Sequence, residues 1–231
     1  MKKWAVISLL VVVLAGCQYG GSRAIIDWVD FIKWDGESYL GIYTGVLADE
    51  RYIGEKIGKV KFKVADNISD PSYKTKDGDA AFLEKGTEIF SIKGRPDLLA
   101  VKAEETINGY QVYFASDSTK FKWHFKDMPV DKVKKIEIYL AYTEEGNKKL
   151  ADINDNNDID AFLDILTNSK EDSAFQPNTE NGDPRYYNIV LYTDDPIAYK
   201  YGVQFDGETY FWYPWDTALL SSEIKRFIPE M

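Results

Sequence analysis

The chain has 231 residues, 45% hydrophobic and 15% aromatic, with 28 basic against 38 acidic side chains and a net charge of −10. That excess of acid opposes binding to nucleic acid and to anionic headgroups, so no nucleic-acid partner is expected. One cysteine and one histidine leave no intrachain disulfide and no multi-histidine metal site. No cofactor or metal is expected.

Lys2 and Lys3 precede an apolar stretch from Trp4 to Ala15, which falls short of the roughly 18–20 residues that span a bilayer. Charged start, apolar middle and small residues at the end are the regions of a secretory leader. Leu14-Ala15-Gly16-Cys17 resembles the lipobox of bacterial lipoprotein signal peptides. The resemblance implies that Cys17 receives a diacylglyceryl group and becomes the new N-terminus after cleavage. Residues 1–16 would then be a removed leader and 17–23 a lipidated tether. Two acyl chains anchor stably where one binds marginally. Gln18 to Ser22 reach at most about 18 Å when extended, which keeps the domain close over the membrane.

The first half, residues 24–126, reads as mostly antiparallel β. Asp35-Gly36 lies between Trp28–Trp34 and Glu37–Tyr43, a pattern for a hairpin with a two-residue type I′ turn. In Lys59–Val64 apolar residues alternate with lysines, which predicts a half-buried antiparallel strand with a solvated lysine face. Residues 65–79 are polar and turn-rich. Strands are predicted at Ala80–Leu83, Glu88–Lys93, Leu98–Lys102 and Tyr110–Ala115, with a turn at Asn108-Gly109, and in Lys120–Lys126 with Phe121, Trp123 and Phe125 inward. His124 in that run reads as a surface histidine.

Asp77–Gly94 and Asp30–Tyr39 resemble segments of small uncharacterised lipoproteins of Gram-positive bacilli. The resemblance implies a Gram-positive membrane surface. It carries over no site residue.

Asp127-Met-Pro-Val-Asp131 marks a boundary. Residues 132–231 read as strand, helix, three strands, helix, so the whole is α+β. In Lys135–Tyr142 the residues Ile136, Ile138, Leu140 and Tyr142 would share one face. A helix over about Asp158–Thr167 is predicted from Ile159, Phe162, Leu163 and Leu166, with Asn157 as N-cap. Asp152, Asn154, Asn156 and Asp158 alternate as in a calcium loop, but Asn157 replaces the needed glycine and Leu163 the bidentate glutamate. Helix capping gives the same letters. Residues 168–185 read as a mobile loop. Strands follow at Tyr186–Thr193, Ala198–Phe205 and Glu208–Tyr213, and a last helix capped by Asp216 would bury Leu220, Ile224 and Phe227.

No catalytic set stands out, so a non-enzymatic interaction or accessory module of the cell envelope is expected, with a protein partner there. An alternative is a lipoprotein binding a cell-wall glycan or peptide through Tyr210, Trp212 and Trp215, the densest aromatic cluster. An envelope hydrolase using paired carboxylates is a third class, which acid count alone does not support. The chain lacks the repeated βα units of a two-lobed receptor.

Overall fold

The computed structural model describes residues 26–117, 122, 124–180 and 182–229. The leader with Leu14, Ala15, Gly16 and Cys17, the tether, and Phe121 and Trp123 lie outside these residues. The fold is broadly α+β but mostly strand, with two sheets and one α-helix among the described residues.

The first sheet is built from β1 (Phe31–Trp34), β2 (Glu37–Gly41), β4 (Ile53–Lys59), β5 (Phe62–Lys63), β6 (Asp79–Ala80), β7 (Glu88–Ile92), β8 (Arg95–Lys102) and β9 (Tyr110–Ala115). Their order is β4-β7-β8-β9-β2-β1-β6-β5. The β1–β2 hairpin has the expected register, and Asp35 and Gly36 take φ of 50° and 79° as a type I′ turn requires.

Lys59–Val64 is not the single antiparallel strand that its alternation predicts. Lys59 pairs with β7, whereas Phe62 and Lys63 pair in parallel with β6. Between them the Val60 N–H donates to Thr87 O at 2.8 Å and the Lys61 N–H to Gly78 O at 2.7 Å. One continuous segment thus bonds to both ends of the strand order, and the sheet closes on itself as a small barrel. Ile32, Tyr39, Val60, Ile89, Leu99 and Tyr113 fill its interior. The alternation correctly marked Val60 and Val64 as buried, but a change of partner leaves no trace in a two-residue period.

The second sheet runs β11 (Gly146–Ile153), β10 (Lys135–Thr143), β13 (Arg185–Tyr192), β14 (Ile197–Phe205), β15 (Tyr210–Trp212), β16 (Ala218–Leu219) and β12 (Lys170–Glu171). Helix α1 (Asn156–Thr167) covers one face, burying Ile159, Phe162, Leu163, Ile165 and Leu166 against Ile136, Ile138, Ile189 and Val203. Each side chain so buried contributes about 1.5–3 kcal/mol. The N-cap is Asp155, whose Oδ1 accepts from the Asn157 and Asp158 amides at 2.9 and 3.3 Å, rather than Asn157.

Several expected elements differ. β11 was not predicted, because its exposed edge carries lysines and asparagine in place of a clean alternation. A register shift in β10 after Leu140 places Tyr142 at φ 58° and 85% exposed, off the face of Ile136 and Ile138. Residues 168–185 include β12 and are tied down by Phe175 on Phe211 and by the Asn178 amide on Asp206. Phe125 starts a short 3-10 turn, Phe125–Asp127, rather than lying within a strand that runs to Lys126; it is buried as expected and packs edge-on against Trp212 at 4.9 Å.

The expected C-terminal helix is also absent. Ala218 and Leu219 pair with β15, and only Ser222–Arg226 turns, as a 3-10 helix capped by Ser221. Strand pairing takes the backbone groups that a helix from Asp216 would need. Leu220, Ile224 and Phe227 are nonetheless buried.

β3 (Gly45–Leu47) lies in the first half of the chain but pairs with Ile197–Tyr199 of β14 in the second sheet. Ile197 in turn packs with Ile42, Leu47, Leu98 and Val112. Arg95 of β8 bonds bidentately to Asp97 and reaches Asp195 at 2.9 Å.

Candidate functional site

A groove of about 690 Å³ opens over Leu83, Val101 and Tyr113 of the barrel lining. Barrel mouths are common ligand sites because the strands fix a rigid rim. Asp30, just before β1, is one of its lining residues. The Tyr43 hydroxyl donates to Asp30 Oδ2 at 2.8 Å, and the Tyr113 hydroxyl approaches Oδ1 at 3.3 Å. Gly41 stands opposite, and a Cβ there would lie 3.2 Å from the Asp30 carboxyl carbon.

Burial, then the hydrogen bond and charge of Asp30, push the Tyr43 hydroxyl up to about 12. Tyr113 is raised further by burial and by Asp30. Both phenols therefore stay protonated at neutral pH and hold Asp30 in place as donors.

The rim adds Glu84, Glu104, Glu105 and Lys102, and Phe82 projects from the β6–β7 connection at 49% exposure. Lys63 pairs with Glu84 at 2.7 Å and Lys102 with Glu104 at 3.3 Å. Asp30 and Glu105 then leave the groove acidic. Its chemistry is an acceptor beside exposed rings.

None of these residues was singled out from the sequence. Asp30, Tyr43, Phe82 and Tyr113 come from separate segments, and no local spacing announces their convergence. The expected cluster is instead divided. Tyr210 and Trp212 are 6% and 1% exposed and belong to the core under α1, so neither offers an open ring face. The period of β15 turns both inward, and Tyr210 also lines a small cleft with Arg185 and Lys225. Trp215 is 76% exposed, beside His124 at 4.7 Å and Lys126 at 5.9 Å. The three rings do not form one surface.

Asp152 is the last-but-one residue of β11 and pairs with Lys149 at 2.6 Å, while Asp155 caps α1. Among the described residues no group of three or more His, Cys, Asp or Glu could hold a metal ion. No described helix is long and apolar enough to cross a membrane.

A second polar cluster is buried between the two halves. Glu137, 5% exposed, accepts from Lys149 at 2.6 Å, Lys135 at 3.0 Å and Tyr139 at 2.7 Å, and from the Tyr192 hydroxyl. Asn108 donates to Tyr192 at 3.2 Å and to Leu47 O at 2.8 Å. Burial opposes ionisation of Glu137, but these hydrogen bonds win and hold its carboxyl down at about 2. Its oxygens are saturated, which suits a structural joint. Searches against protein-family models, curated proteins and solved structures return no match.

Proposed function

We propose that this protein is a non-enzymatic binding module of the cell envelope, held on the extracytoplasmic face of the membrane through lipid on Cys17, and that the barrel-mouth groove takes a positively charged segment of an envelope protein. The groove carries the reading: Asp30 and Glu105 supply negative charge beside Tyr43 and Phe82, whose rings are 62% and 49% exposed. A lysine or arginine seated there meets a carboxylate and an aromatic face together, and each cation–π contact adds about 0.5–2 kcal/mol. The anchor rests on the Leu14–Cys17 motif. Each Asp30 oxygen accepts from one tyrosine hydroxyl, which fixes the carboxylate and leaves it acceptor capacity for a lysine or arginine.

The test uses full-length protein in detergent, with hexalysine and hexaglutamate peptides as probes in calorimetry. Hexalysine should bind and hexaglutamate should not. Because the whole chain is acidic, the decisive variants conserve charge: Phe82→Ser with Tyr43→Ala should weaken hexalysine about tenfold, or about 1.4 kcal/mol. Unchanged affinity would mean that overall charge, not the groove, attracts the peptide, and would refute the site.

A further inference from the structure

The face of the second sheet opposite α1 is covered over only part of its area. Towards one end Val46 and Ile107 from the first half pack on Tyr139, Val190, Tyr192 and Ala198. Towards the other end the outward positions of β13 and β14 are the uncharged Tyr186, Asn188, Gly202 and Gln204, and between the two ends lies half-buried Lys200, paired with Val190. Tyr186 leans across Gly202, where a Cβ would collide with its hydroxyl. Tyr142 stands edge-on to Tyr186 with ring centroids 5.4 Å apart and planes at 69°. Tyr213 follows β15 on the same side, 52% exposed and 6.0 Å from Phe211.

Tyr142 combines two uncommon features. It is 85% exposed, and its φ of 58° lies in the left-handed region that side chains with a Cβ seldom occupy. The register shift between Leu140 and Thr143 is what aims it at Tyr186. Strain of this kind concentrates where a side chain is presented to a ligand.

We infer that Tyr142, Tyr186 and Tyr213, with the amides of Asn188 and Gln204, form a binding face for a neutral glycan chain. A pyranose ring has an apolar C–H face and a rim of hydroxyls. Tyr186 offers a ring lying along the sheet for the first, Tyr142 and Tyr213 flank it, and amides that both donate and accept serve the second. The Asn188 amide already donates to Asn147 at 2.8 Å, which fixes its orientation and leaves its carbonyl oxygen as an acceptor. These positions carry no carboxylate, and Lys200 beside them repels cations, so the face selects against the cationic segment assigned to the barrel groove. The face is independent of that groove and of its ligand.

The test co-sediments full-length protein in Triton X-100 with chitin and with cellulose, two neutral insoluble polysaccharides, with and without the corresponding soluble tetrasaccharide. At least one polysaccharide should retain the protein, its tetrasaccharide should displace it, and Tyr142→Gly with Tyr213→Ser should cut retention at least tenfold. The double variant should melt no lower than the parent, since both rings are exposed and glycine accepts the backbone angle; Tyr213→Ser alone repeats the test if it does not. Failure of both polysaccharides to retain the protein, retention unchanged in the variants, or displacement by hexalysine instead of the tetrasaccharide would each overturn the assignment.

Discussion

Glu137→Gln removes the charge at the joint between the two halves while keeping the side chain's shape. In the folded protein the Glu137 carboxyl titrates at about 2 instead of 4.5, because hydrogen bonds from two lysines and two tyrosines outweigh the cost of its burial. A depression of that size corresponds to roughly 3 kcal/mol of stability at neutral pH. The Lys135 and Lys149 side chains are 36% and 41% exposed, so solvent screening reduces the figure to about 2 kcal/mol. Urea unfolding at pH 7 should therefore show the variant's midpoint lowered by about 1 M.

The pH dependence is the sharper part. A depressed carboxyl contributes its full stability above the unfolded-state pKa and loses it as pH falls through the folded-state pKa. The difference between parent and variant should thus be complete above about pH 5, roughly halved near pH 3, and nearly gone towards pH 2. Other carboxylates titrate in both proteins and cancel in the difference. A gap that stays constant from pH 7 to pH 2 would show that the glutamine disrupts packing alone, and would refute the ionic account of the joint.

Two further outcomes are expected. Cys17→Ala should move the protein from the membrane fraction to the soluble fraction on cell fractionation, and continued membrane retention would refute the lipid anchor. Asp155→Ala should cost about 1 kcal/mol in thermal or urea unfolding by removing the cap of α1, whereas Asn157→Ala should change stability by less than about 0.5 kcal/mol. The reverse order would restore the cap expected from the sequence.

β3 shows why a boundary in sequence need not divide the packing. Apart from this strand, the stretch 127–131 separates the strands of the barrel from those of the second sheet. β3 crosses over to bond with β14, carrying Val46 and Leu47 into contacts with both halves. Three residues are too few to make a visible period, and their partner lies far along the chain. The same limit hid the barrel mouth and the tyrosine face, each of which combines segments that are remote in sequence.

Local signals determined what local physics controls. Asp35-Gly36 specified a turn because both residues can take positive φ. Ile159, Phe162, Leu163 and Leu166 specified a buried helical stripe because an amphipathic face must find a core. Burial at Val60, Val64, Leu220 and Ile224 was legible even where the element around them was misread, since an apolar side chain avoids water in a strand or a helix alike. Tertiary structure alone decided where strands change partner, why the C-terminal segment pairs with β15 instead of coiling, and which aromatic rings face water. Tyr210 and Trp212 are as aromatic as Tyr142 and Tyr213; the helix packed over one side of their sheet makes the first pair core, and a register shift and an uncovered face expose the second.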